Sequence, residues 1–304
     1  MQRYLIKFSY SGTRFRGLQR QPGEIYNDEI PYRASIQTIL EKGILRFLQH
    51  KKSATSFEPG VQFSSRTDQG VHSFCNLAHV DLELLKNGSC IPPVQLQKTL
   101  HVFCQKSDIN LTVNNVEAVP STFHARYSSY SRHYLYRIGV TPEDVKCHPV
   151  IEWRKCYFIE KPFCLDKAIE VCKLFEGTKD FASFCHGISG RPPGYPTVRT
   201  IDAFHIKPGR PLFDPLYDPL YSGIDFYDFH IKSRSFMYRQ VRRMVALVVA
   251  VANGHINLDE ARQLFDHPGQ WNPKAMTAPP YGLYLLDVGY KIPQDEQPQR
   301  IIEN

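Results

Sequence analysis

The chain has 304 residues, of which 42% are hydrophobic, 12% aromatic and 22% charged. That composition excludes disordered, collagen-like and coiled-coil chains and suits one large domain or two modest ones. Lys and Arg total 37 against 30 Asp and Glu, a net charge of +7 that suits a polyanionic partner without requiring one.

The first ten residues read as structure rather than as an export signal. Tyr4, Ile6, Phe8 and Tyr10 alternate with Leu5, Lys7 and Ser9, which predicts a strand over 4–10. Ser11-Gly12-Thr13 breaks it, and a basic segment, Arg14 to Gln21, follows. Ser35 caps a predicted helix over 35–50 with Ile36, Ile39, Leu40 and Ile44 on one face. A strand over 76–84, a helix over 92–104 with proline in its first turn, and a strand over 132–138 come next. Ala168, Ile169, Cys172 and Phe175 define the apolar face of a helix over 165–176, with Gly177 at its end. Residues 187–197 form a Gly/Pro-rich loop, and 208–223, with its tandem Asp-Pro-Leu-Tyr, an irregular surface insertion. A strand over 224–232 precedes what should be the longest helix, over 236–253. Its apolar run, Met244 to Ala252, is too short to span a bilayer. A short helix over 258–265 with an Asn257–Glu260 capping box, a strand over 283–290 and a polar tail over 293–304 complete the chain. Helices do not follow every strand, which favours α+β with a largely antiparallel sheet over a doubly wound layout.

The segment with the most chemistry is Ser64-Ser65-Arg66-Thr67-Asp68-Gln69-Gly70-Val71-His72-Ser73. Arg66 can pair with the Asp68 carboxylate and keep it ionised, and Gly70 gives a tight turn its backbone freedom. An ionised Asp on a loop serves as nucleophile or general base, although the same pattern also suits a plain turn with a local ion pair. The eight cysteines form no C-x-x-C pair and read as free thiols. Cys147-His148 and Cys185-His186 lack a second pair at finger spacing, so no metal is expected.

This segment resembles the G-R-T-D-A-G-V-H-A signature of the tRNA pseudouridine synthase A (TruA) family. Further blocks follow in that family's order. Gly17-Leu18-Gln19-Arg20-Gln21 is similar to G-W-Q-R-Q, Ser35-Ile36-Gln37 to S-V-Q, and Phe123-His124-Ala125-Arg126 to F-H-A-R. Arg132-His133-Tyr134-Leu135-Tyr136 resembles R-x-Y-x-Y, and Asp180-Phe181-Ala182-Ser183-Phe184 resembles D-F-x-S-F. Phe236 to Val245 is similar to F-x-x-x-M-V-R-x-I-V, and Gly282-Leu283-Tyr284-Leu285 to G-L-Y-L. The blocks run from residue 17 to 285 and look most like the eukaryotic tRNA pseudouridine synthase-like 1 branch. Ser65, Leu18 and Ser73 stand where the family has Gly, Trp and Ala. None of these removes a reactive group, and Leu18 bears on RNA contacts.

The resemblance implies a pseudouridine synthase fold: two related subdomains, 1–122 and 123–292, sharing a long antiparallel sheet with helices outside and a basic cleft between. It implies isomerisation of uridine to pseudouridine in RNA, without a cofactor. Asp68 would be the nucleophile, attacking ribose C1′ or assisting glycal formation. Arg242 would be its partner cation, Tyr134 the residue against the base, and Arg66 a neighbour near the RNA. Arg14, Arg16, Arg20, Arg126, Arg132, Arg239 and Arg243 would contact phosphates. His72 and His124 read as structural. The substrate would be tRNA near the anticodon stem-loop, with messenger RNA, a homodimer, and a mitochondrial or cytoplasmic location left open. The alternatives are an RNA-binding protein of this fold without the chemistry, or an unrelated hydrolase using Asp68 as base.

Overall fold

The computed structural model describes residues 1–22, 24, 34–50, 59–85, 88–143, 145 and 147–293; most of the polar tail lies outside them. Alternation at the N-terminus produces β1 (Gln2–Tyr10). Its odd and even side chains enter different apolar clusters, Tyr4, Ile6, Phe8 and Tyr10 in one and Leu5 in the other. Helix α1 (Ile36–His50) starts as expected, with Ser35 Oγ accepting the Thr38 N–H at 3.2 Å. Ile36, Ile39, Leu40 and Ile44 are all buried. Burying four such side chains contributes roughly 6–12 kcal/mol against about 1 for the cap, so packing decides this helix.

Strand β2 (Gln62–Phe63) leads through the Asp68 loop into β3 (His72–Leu82). Then come α2 (Pro93–Lys106), β4 (Leu111–Val119) and β5 (Ser129–Thr141). Strand β6 (Tyr157–Glu160), α3 (Leu165–Phe175), β7 (Gly177–Asp180), β8 (Val198–Pro208) and β9 (Asp225–Ser233) follow. Helix α4 (Gln240–Ala252), α5 (Leu258–Asp266) and β10 (Leu283–Tyr290) close the chain. The strands form one sheet in the order β4-β1-β3-β10-β5-β9-β8-β7, with β2 beside β3 and β6 beside β5. Pairing is antiparallel except at β3/β10 and β5/β6. This is the α+β fold expected. The last strand, β10, inserts between β3 and β5, where Tyr284 pairs with His72 and Leu285 with Ser73. A residue at the end of the chain thereby fixes the start of the strand that follows the Asp68 loop.

Several expectations need correction. Helix α4 starts at Gln240, not at 236, because Arg239 has φ +58° and the Met237 N–H bonds Gln240 Oε1 at 2.8 Å. It has 13 residues, fewer than the 15 of α1. Ile169 faces outward, and Val171 takes its place in the buried face of α3. Strands β4 and β8 escape the alternation test because each carries a bulge, at Asn114 opposite Lys7/Phe8 and at Asp202. One extra residue reverses the faces midway and erases a period of two. The α5 capping box is present in both directions. Among the described residues, no helix is long and apolar enough to cross a membrane.

Candidate active site

The loop from Ser64 to Val71 is held from below and behind. Asn76 joins it to β3, accepting from Ser64 Oγ (2.9 Å) and donating to the Ser65 carbonyl (3.1 Å). Tyr10 Oη meets Thr67 Oγ1 at 2.7 Å, and the Leu18 N–H donates to the Thr67 carbonyl at 3.2 Å. The turn closes with the Val71 N–H on the Asp68 carbonyl, and Gly70 takes φ +84°. Gly12 packs so closely behind it that an added Cβ would lie 2.0 Å from the Val71 oxygen. A side chain there would displace the loop, because real carbons do not approach so near.

His72 braces the end of the loop. Its Nδ1 accepts the Gly12 N–H at 3.1 Å, so Nε2 carries the proton and donates to the Arg154 carbonyl at 2.9 Å. Its ring stacks on Tyr284 at 4.5 Å. Burial pushes its pKa down to about 4, which keeps it neutral at pH 7. His124 Nδ1 accepts the Arg126 N–H. Both histidines thus make backbone bonds.

Asp68 stands at the floor of a cleft of about 680 Å³, a volume suited to one nucleotide-sized ligand. Its carboxylate does not pair with Arg66, which is exposed and makes no ion pair among the described residues. It pairs instead with Arg242, Oδ2 to Nη1 at 3.0 Å. Arg242 projects from the first turn of α4, and its Nε is tied to the Ala278 carbonyl at 2.7 Å. The guanidinium is therefore fixed before any ligand arrives, and the positive end of the helix adds to its charge. The Asp68 side chain keeps 25% of its surface exposed.

Tyr134 lines the same cleft, edge-to-face with Phe236 at 5.2 Å. Burial, followed by the nearby Tyr10 and Asp68 oxygens, holds its phenol well above the usual range, so it stays protonated. Seven arginines line the cleft, 66, 126, 132, 191, 234, 239 and 242, against a single carboxylate, Asp68. Elsewhere arginines find acids: Arg3 with Asp81, Arg137 with Glu152, Arg262 with Asp259. Of the seven, only Arg242 has a carboxylate partner among the described residues. A concave surface with so much uncompensated positive charge attracts a polyanion.

The arginines expected near the RNA divide. Arg66, Arg126 and Arg239 reach the cleft. Arg132 also borders it, but all five of its N–H groups are spent on Ser65 Oγ and the carbonyls of Ser64, Arg126, Ser129 and Arg234. It clamps the loop instead. Arg20 is outside the lining and pairs with Glu41 of α1. Arg14 pairs with Asp108, and Arg16 is exposed away from the lining. Arg243 donates to the Ser183 and Cys185 carbonyls and lies 4.6 Å over Trp271, pinning α4 to the turn at 183–185 and to the segment after α5. Leu18 is buried in the α1 cluster, so the Trp-to-Leu difference concerns packing rather than RNA contact. Arg191 and Arg234 went unnoticed in the sequence. The available signal was a lone arginine in a Gly/Pro-rich loop and another two residues before Phe236. Among the described residues, no group of three or more His, Cys, Asp or Glu side chains is placed to hold a metal.

Residues 171–291 match the family model described as tRNA pseudouridine synthase. Over 300 residues the chain is 33% identical to a human protein named tRNA pseudouridine synthase-like 1, covering 95% of this chain and 90% of that one. A Xenopus laevis protein of the same name is 30% identical over 294 residues, covering 95% and 91%. A protein named tRNA pseudouridine synthase A from Ehrlichia chaffeensis is 28% identical over 297 residues, covering 95% and 100%.

Proposed function

The chain belongs to the tRNA pseudouridine synthase family, and from that premise we propose that it isomerises uridine to pseudouridine in tRNA, in the anticodon stem-loop region, with Asp68 as the nucleophile. The observation that carries this reading is the Asp68–Arg242 ion pair at the floor of an arginine-walled cleft. In the reaction the N1–C1′ bond breaks, the uracil turns, and C5 bonds to C1′. N1 gains a proton and C5 loses one, so atoms and charge balance without a cofactor.

Asp68 attacks C1′ or removes a ribose proton to form a glycal; either role needs an ionised carboxylate within reach of the sugar. Arg242 holds one carboxylate oxygen and leaves the other for the ribose. Tyr134 meets the target base, and its retained proton makes it a donor rather than a phenolate base. The uridine must leave its stack for its base and ribose to reach Tyr134 and Asp68 together. Arg66, Arg126, Arg191, Arg234 and Arg239 hold phosphates around it. The halves 1–122 and 123–292 act as the two subdomains that bring Asp68 and Arg242 together. Messenger RNA as a second substrate, a homodimer, and a mitochondrial or cytoplasmic site belong to the same proposal and await their own tests.

The test is pseudouridine mapping of RNA from cells lacking the protein, carrying it, or carrying Asp68→Asn. Specific tRNA pseudouridines should vanish in both deficient cases. Restoration of those sites by Asp68→Asn removes Asp68 as nucleophile. An unchanged pseudouridine map in all three favours an RNA-binding protein without the chemistry.

A further inference from the structure

Three tyrosines on the rim of the cleft each carry an arginine over the ring. Arg126 Cζ lies 5.8 Å from the Tyr127 centroid, Arg191 5.1 Å from Tyr195, and Arg239 5.0 Å from Tyr238. All six side chains line the Asp68 cleft, and they come from three separate segments: the turn before β5, the Gly/Pro-rich loop and the turn before α4. Tyr127 is 74% exposed and Tyr238 41%, while Tyr195 is half-buried. Histidine rings fix two of them, His124 at 4.4 Å from Tyr127 and His186 edge-on at 5.6 Å from Tyr238. No hydroxyl of the three bonds to a described residue. Tyr195 also packs against the main core cluster, whereas Tyr127 and Tyr238 belong to none, so for those two rings neither core packing nor a hydroxyl bond explains why they stand here.

A phenol ring with a guanidinium over one face offers its other face, and the guanidinium plane, to a flat ligand. Each pair therefore matches a nucleotide, with the base on the ring and the phosphate on the cation. Bases inside a duplex are already stacked and present no free face, whereas unpaired bases do. Resting on the reading that this cleft converts a uridine in RNA, we propose that the three Arg–Tyr pairs are stacking platforms for unpaired nucleobases flanking the target. The enzyme then engages its uridine within a splayed strand rather than a continuous helix.

The test uses the full chain and a nine-nucleotide RNA with one central uridine and 2-aminopurine beside it, single-stranded or annealed to its complement. The single strand should bind at least about tenfold tighter than the duplex, and its 2-aminopurine fluorescence should be quenched. Tyr127→Ala, Tyr195→Ala and Tyr238→Ala should each weaken binding by about 5- to 20-fold and relieve quenching. They should raise KM for tRNA with kcat retained, and leave the salt dependence of binding unchanged because no phosphate contact is lost. The matching Phe variants should restore affinity and quenching. Equal binding of duplex and single strand, no binding by the wild type, wild-type affinity in the Ala variants, or Phe variants as weak as Ala would each overturn the proposal. Failure of the enzymatic reading appears separately, as quenching by the wild type without Asp68-dependent pseudouridine in tRNA.

Discussion

Two basic regions look alike along the chain and differ in the folded protein. The segment 14–20 carries Arg14, Arg16 and Arg20 in seven residues. Yet Arg14 is held by Asp108 and Arg20 by the buried Glu41, and none of the three lines the cleft. The cleft arginines are scattered from 66 to 242, and apart from Arg242 they lack a carboxylate partner among the described residues. A run of like charges thus says less about binding than whether the fold brings an acid to each. Arg132 and His72 show a third outcome, since both adjoin the Asp68 loop and both are consumed in holding it.

The sharpest way to break this comparison is at the one cleft cation that has a partner. Asp68→Asn should lower pseudouridine formation by roughly 10⁴-fold or more with the thermal melt unchanged. Assayed on tRNA, a loss below tenfold would separate the ion pair from the chemistry.

Next comes the division between clamp and contact. Arg132→Ala strands several buried carbonyls and should cost about 3 kcal/mol in urea unfolding. Arg66→Ala should stay within about 0.5 kcal/mol of wild type while weakening RNA binding. The opposite ranking in the two assays would assign both residues wrongly.

His72 extends the same test to pH. Its folded pKa, about 4, lies below the ordinary 6.5 of an unfolded histidine, so the unfolded chain binds more protons between those values. Its contribution is complete above pH 6.5 and is lost as pH falls towards 4, roughly 3 kcal/mol in all. His72→Gln should flatten that slope by about 1.4 kcal/mol per pH unit, measured by denaturation at pH 4.5–6.5. A slope identical to the wild type's would show that His72 is not held neutral.

The smallest effects concern single phosphate contacts. Arg126→Ala, Arg191→Ala and Arg234→Ala should each reduce the salt slope of RNA binding by about 1, whereas Arg14→Ala should leave it unchanged. A lowered slope for Arg14→Ala would extend the binding surface beyond the cleft.

Much of this was legible along the chain. The caps at Ser35 and Asn257, the apolar face of α1, the last strand and the α+β class follow from local spacing and short-range hydrogen bonds, which a sequence displays directly. The signature around Asp68, with Tyr134 and Arg242 in their blocks, marked residues that prove to share one cleft. Strands β4 and β8 were hidden because a bulge shifts the alternation by one residue. The start of α4 was hidden because the φ of Arg239 depends on the Met237–Gln240 bond rather than on helix propensity.

What the sequence by itself determined is the fold class and the family, since each rests on residue type and local order; it marked Asp68, Tyr134 and Arg242 as candidates for the chemistry. Only the tertiary structure decided which cation meets Asp68, which arginines remain uncompensated and which aromatics stand at the rim. Those outcomes depend on groups as much as 174 positions apart, as Asp68 and Arg242 are. Such pairs come within reach of a charge or a ring only when the sheet closes around β10.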